Sequence, residues 1–170
     1  MQFFSSLSLL ALLGASITTA LPTELTNFLL VTSTDASPNT NSSNLKAVSA
    51  TSLFRAPGEP SLILRLIGPG YNSLPNFTLT DGTLSTYSAY PQQIYYNSSH
   101  VEAKSELEFE AKAQTGGNIA LDDAYLLTVD GEKEGWTVCD GPVETEVLFW
   151  KGEDAGCESV YLRAVTGAPY

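Results

Sequence analysis

Hydrolysis by a serine-histidine-aspartate triad needs an imidazole held between nucleophile and acid, and the chain carries a single histidine, His100. His100 follows the Asn97-Ser98-Ser99 triplet and opens a charged segment, the setting of an exposed turn, and no Gly-x-Ser-x-Gly elbow accompanies it. Glycoside hydrolysis needs instead two carboxylates about 5 to 9.5 Å apart across a cleft. Glu106, Glu108 and Glu110 alternate with apolar residues, so they are expected on the solvent face of one strand, where charge serves solubility. Asp122-Asp123 and Asp130-Gly131-Glu132 could offer oxygens to Ca²⁺, without the acid spacing of an EF-hand. No catalytic residue, metal ligand or cofactor is therefore expected.

Aromatic residues suggest binding chemistry. Tyr87, Tyr90, Tyr95 and Tyr96 fall within ten residues, and a phenol ring presents both an apolar face and a hydrogen-bonding tip to a sugar. Strand alternation points Tyr95 and Tyr96 to opposite faces, so at least one of them belongs to the core. Trp136 and Trp150 are expected in the core flanking a disulfide. That disulfide is Cys139–Cys157: the chain has two cysteines, with no Cys-x-x-Cys spacing and no histidine neighbour to suggest redox or metal chemistry.

The elements that must position these residues read as all-β. Segments rich in Val, Ile, Leu, Tyr, Phe and Thr cover 28–33, 47–54, 62–67, 77–80, 84–87, 93–96, 107–113, 125–129, 136–139, 147–150 and 159–164, separated by Pro, Gly, Asn, Asp and Ser. An antiparallel β-sandwich or barrel is expected. A β-trefoil is the alternative, suggested by the echo between Phe77-Thr-Leu-Thr-Asp-Gly and Tyr125-Leu-Leu-Thr-Val-Asp-Gly, although no third copy is visible. Asp81-Gly82 and Asp130-Gly131 predict hairpin turns, since Gly tolerates positive φ. The stretch 101–114 has helix-forming composition, but its strict alternation over 106–113 predicts a strand with Leu107, Phe109, Ala111 and Ala113 inward.

Residues 1–20 hold no charged side chain, are apolar from Leu7 to Ile17 and end in small residues, the pattern of a secretory signal peptide cleaved near Ala20. Residues 21–170 are then one β-rich domain, with no expected membrane anchor, because the C-terminus lacks a glycolipid-anchor tail. Asn41, Asn76 and Asn97 each open an Asn-x-Ser/Thr sequon, as expected of a secreted glycoprotein. The net charge of −11 opposes nucleic-acid binding. Nearly all of it falls on residues 101–170, where it keeps a surface soluble or meets a cation or a basic partner.

Several of these stretches resemble one family. Asp81-Gly82-Thr83-Leu84-Ser85-Thr86-Tyr87 followed by Pro91-Gln92-Gln93-Ile94-Tyr95-Tyr96 is similar to a segment of the small secreted fungal proteins related to the phialide cell-wall protein PhiA and to fungal IgE-binding proteins. The resemblance extends to Phe28-Leu-Leu-Val-Thr-Ser, to Gly135-Trp136-Thr137-Val138-Cys139, to Leu148-Phe149-Trp150, and to Gly156-Cys157 before Val160-Tyr161-Leu162-Arg163-Ala164. The family often has Cys-Pro where this chain has Cys139-Asp140. The resemblance implies a non-catalytic protein, secreted or associated with the cell wall, and linked to fungal development. Wall polysaccharide is the expected partner. A secreted hydrolase, or an effector that binds a host protein, is the alternative.

Overall fold

The computed structural model describes residues 24–37, 45–51, 61–68, 74–88, 93–114 and 116–169. The leader, Asn41, Tyr90 and positions 52–54 of the second expected strand lie outside them. The strands are β1 (Leu25–Ser33), β2 (Lys46–Thr51), β3 (Ser61–Ile67), β4 (Phe77–Thr80), β5 (Thr83–Ser88), β6 (Ile94–Ser98) and β7 (Ser105–Glu106). They continue as β8 (Glu108–Glu110), β9 (Ile119–Leu121), β10 (Leu127–Val129), β11 (Trp136–Gly141), β12 (Thr145–Trp150), β13 (Glu158–Ser159) and β14 (Tyr161–Val165). The helix-forming composition of 101–114 is overridden, and no α-helix occurs among the described residues.

The pairings form two linked rings. In the first, β1 pairs with β14 and with β4, β4 with β5, and β9 with β10. β10 meets β14 through the Leu126–Arg163 bridge. The gap between β5 and β9 is spanned at the turn before β5, where the Gly117 and Ile119 amides donate to the Asp81 and Gly82 carbonyls at 3.3 and 3.1 Å. The ring β1-β4-β5-β9-β10-β14 thereby closes into a barrel, which removes exposed edges. In the second ring the pairs β2–β3, β6–β8 and β11–β12 are joined to one another by β3–β8, β3–β12 and β7–β12. Each third of the chain thus supplies two barrel strands and one capping pair. The barrel expectation holds, and its order of pairing is that of a β-trefoil.

The sequence echo, however, is not this threefold repeat. Asp81-Gly82 joins two barrel strands, β4 and β5, with φ of 48° and 75° and Thr80 opposite Thr83. Asp130-Gly131 has the same left-handed turn geometry, φ 52° and 83°, but leads from the barrel into a capping pair. Its expected hairpin is reduced to a single Val129–Glu132 bridge, because β10 has β9 along one edge and meets β14 through Leu126 on the other. The third barrel pair is β14 with β1, the two ends of the described chain. A pair made from the two ends carries no turn signature.

Two expected strands are corrected. The expected 107–113 strand is shortened to β8, and the 106–113 alternation is divided at Leu107: β7, which ends at Glu106, pairs with β12 through Phe149 and Trp150, whereas β8 pairs with β3 and β6. Leu107 and Phe109 are buried as expected and Ala111 packs against the core, but Ala113 is exposed, beyond the end of β8. The 125–129 strand begins only at Leu127, and Tyr125 stands outside it with φ 60°. β9, a three-residue strand, was too short for alternation to announce it.

The core runs through both rings. Phe28, Phe77 and Phe109 are fully buried with successive ring centroids 6.2 Å apart. Trp136 is buried, donates its indole N–H to the Leu127 carbonyl at 2.9 Å and meets the buried Trp150 edge-on. Cys139 on β11 is bonded to Cys157, just before β13, closing a loop with a separation of 18 residues. Loop-closure entropy at that length is worth about 3 kcal/mol. The double variant Cys139→Ala/Cys157→Ala is expected to lower the urea midpoint by that equivalent, and an unchanged midpoint would remove the disulfide from the stability of the fold.

Candidate functional site

The β5–β6 pair carries two of the three exposed tyrosines among the described residues. Residues alternate across its faces, and the register sets Tyr87 opposite Tyr95, Ser85 opposite Asn97 and Thr86 opposite Tyr96. Tyr96 thus turns inward and is 7% exposed, whereas Tyr87 and Tyr95 are 47% and 65% exposed. The four-tyrosine cluster expected from sequence therefore separates into a core residue, an outward pair, and Tyr90, which lies outside the described residues. The outward rings touch, with centroids 5.1 Å apart and planes inclined by 57°.

Neutral polar groups continue this face. The Ser85 hydroxyl donates to Asn97 Oδ1 at 2.7 Å, and Asn97 Nδ2 donates to the Lys112 carbonyl at 2.8 Å. Thr78 on β4 lies opposite Ser85 and adds another hydroxyl to the same outward row. Beyond Asn97, Glu110 pairs with Lys112 at 2.8 Å and accepts from Gln114 at 2.7 Å. The hydrogen bond from Lys112 leads the interactions that hold the Glu110 carboxyl below its ordinary value. The surface is a pair of aromatic faces bordered by uncharged hydroxyl and amide groups, with the Glu110–Lys112 pair beyond them.

The same contacts separate the two described sequons. Asn76 is exposed immediately before β4, while its carbonyl accepts from the Thr86 hydroxyl at 3.0 Å. Asn97 sits inside β6 rather than beside a turn, with its attachment nitrogen already donating to Lys112.

Among the described residues no three histidine, cysteine or acidic side chains gather into a metal-holding group. Because the expected strand is divided, Glu106 lies on β7 beside β12 while Glu108 and Glu110 lie on β8 beside β3. Glu132 pairs with Lys151, and Asp130 accepts from the Asn118 amide at 3.1 Å. Asp123 and His100 are exposed. Asp122 is occupied in holding the β9–β10 connection: Oδ1 accepts the Ala124 and Leu126 amides at 2.9 and 2.8 Å, and Oδ2 faces Lys133 at 3.2 Å.

Burial alone would raise the Asp122 pKa, but the amide bonds and Lys133 outweigh it and leave it below its ordinary 3.8. A carboxyl whose folded pKa is depressed contributes stability above its unfolded pKa, and loses it as pH falls through the folded value. Asp122→Asn retains an acceptor for the amides but no charge. It is therefore expected to flatten the acid limb of the stability curve below about pH 4, checked by urea denaturation from pH 2 to 7; an acid limb identical to that of the unaltered protein would exclude Asp122 from it.

One feature escaped sequence reasoning. Tyr125, assigned there to a strand, is 53% exposed at the rim of an apolar groove of about 470 Å³ that is also lined by Leu25, Phe28, Ala164 and Thr166. Its left-handed backbone is uncommon for a bulky side chain and is held by bonds to Asp122 and Ala164. Nothing in local sequence signals that conformation.

Fold and site together define an all-β disulfide-bonded barrel that displays an aromatic pair on one hairpin. Comparison with protein-family models, with curated proteins and with solved structures finds no match to this chain.

Proposed function

We propose that this chain is a secreted, non-catalytic glycoprotein of the fungal cell wall that holds neutral wall polysaccharide through Tyr87 and Tyr95. The exposed tyrosine pair carries the reading: two large rings left in water cost hydrophobic free energy that folding would otherwise recover, and aromatic faces with neighbouring hydroxyl and amide groups suit the alternating apolar and polar surface of a sugar. The leader-like N-terminus, the sequons and the resemblance to PhiA-related proteins support the address. The disulfide fits an oxidising compartment. Of the acids weighed for glycoside hydrolysis, Glu110 is engaged with Lys112 and Gln114, and of those weighed for a cation, Glu132, Asp130 and Asp122 each hold a separate partner.

The test is co-sedimentation of the secreted protein with insoluble β-glucan and with chitin, alongside an assay for soluble sugar. Retention on at least one polysaccharide without sugar release is expected. The Tyr87→Ala/Tyr95→Ala variant should lose that retention with little change in melting temperature, since both rings are outside the core. Sugar release would favour a hydrolase, and absence of retention would overturn the reading. Asn76 is expected to be the occupied sequon of the two described, so Asn76→Gln should remove a glycan mass that Asn97→Gln leaves in place.

A further inference from the structure

The relative orientation of the two rings says more than their exposure. Tyr87 and Tyr95 lie directly across the β5–β6 ladder, and their planes are 57° apart. A β-1,4-linked chain is a ribbon whose sugar rings lie near one plane, and in crystalline chitin or cellulose such ribbons stack into flat faces. Aromatic rings that grip a flat face must be nearly coplanar, because stacking requires each ring to lie along the surface. Rings inclined by 57° cannot do so together: when one lies flat, the other meets the surface with its edge. In a β-1,3-linked chain successive sugars turn about a helical axis, so two inclined rings can each meet the apolar face of a different sugar.

The polar border agrees with a neutral polyol. Ser85, Asn97 and Thr78 are uncharged, and the charges of Glu110, opposite Asn97, and Lys112 neutralise each other at 2.8 Å. An acidic polysaccharide would meet a chain of net charge −11. Both tyrosines sit at directly paired positions of β5 and β6 rather than on a free loop, so the ladder fixes where the two side chains leave the backbone before the ligand arrives. Such preorganisation lowers the entropy lost on binding.

Resting on the polysaccharide-binding reading above, we infer that Tyr87 and Tyr95 select a single, curving chain of neutral β-1,3-glucan over the flat face of a crystalline β-1,4 polymer. The probes are laminarihexaose in solution, followed by calorimetry, and microcrystalline chitin and cellulose, followed by sedimentation, all with the secreted full-length product. Laminarihexaose binding that weakens about fivefold or more in Tyr95→Ala and is restored in Tyr95→Phe, with no retention on either crystalline polymer, is the expected result. Tyrosine-dependent retention on crystalline chitin or cellulose, equal to or stronger than laminarihexaose binding, would overturn the inference while leaving polysaccharide binding intact. Laminarihexaose binding unchanged by alanine at both tyrosines would overturn the assignment of the site. Failure to bind any of the three, or the insoluble glucan, would overturn both readings.

Discussion

Arg163→Met is expected to lower the melting temperature by about 10 °C, corresponding to about 3 to 4 kcal/mol in a protein of this size. The guanidinium belongs to a buried residue of β14, and among the described residues it donates to backbone carbonyls: Nη1 to Ala124 at 2.6 Å, and Nη2 to Ala36 and Ser37 at 2.7 and 3.1 Å. One side chain thus ties the loop after β1 and the β9–β10 connection to the strand that closes the barrel. These contacts bridge sequence separations of 39, 127 and 126 residues. Removing it leaves carbonyls without donors, at about 1 to 3 kcal/mol for each one still shut off from water. Relaxation of the Ala36–Ser37 loop toward solvent recovers part of that. So does release of Nε, which is buried without a partner.

Arg163→Lys is the informative companion. A single ammonium lacks the planar fork that serves carbonyls on two different segments, so the lysine variant is expected to fall between the arginine and methionine forms. A loss below about 1 kcal/mol for methionine, read from urea denaturation, would show that the fork is replaceable by packing alone.

Gly117→Ala carries the other large expected effect, about 3 kcal/mol or more. Gly82 and Gly117 pass backbone against backbone where β9 joins the barrel. A Cβ on Gly117 would stand 1.9 Å from the Gly82 carbonyl oxygen, and one on Gly82 would stand 2.3 Å from that of Gly117. Neither obstacle is a side chain that could swing aside. The segments must separate, and with them go the amide bonds of Gly117 and Ile119 that complete the ring.

Asn118 shares the strain of such a shift. Its amide pairs with both the N–H and the C=O of Val101 at 2.9 Å, and its carbonyl accepts the Asp130 amide at the same distance. Gly68→Ala is the control, because a Cβ there meets nothing within 4 Å. If both alanine variants melted alike, the close approach would carry no stability.

How much of this was legible beforehand differs residue by residue. Period-two alternation depends only on a strand having two faces, so Leu107 and Phe109 inward, and Tyr95 and Tyr96 on opposite sides, could be read without knowing any partner. The left-handed turn at Asp81-Gly82 is likewise local, since it follows from what glycine backbone permits. The cysteine pairing came from counting. Alternation cannot say where a strand changes partner, which is why 106–113 read as one element although it is divided between β12 and β3.

The class of the fold, most of its strands, the disulfide and the neighbourhood of the tyrosine pair are legible in the residues alone, because each depends on composition or on contacts between residues near in the chain. Chain closure alone sets β14 beside β1 as the third barrel pair, makes Arg163 a buried tie, crosses Gly82 with Gly117 and brings Tyr87 and Tyr95 together at 57°. Those features arise from how a closed ring of strands brings distant segments together. The resulting distances and angles are properties of closure, and no local pattern of residues encodes them.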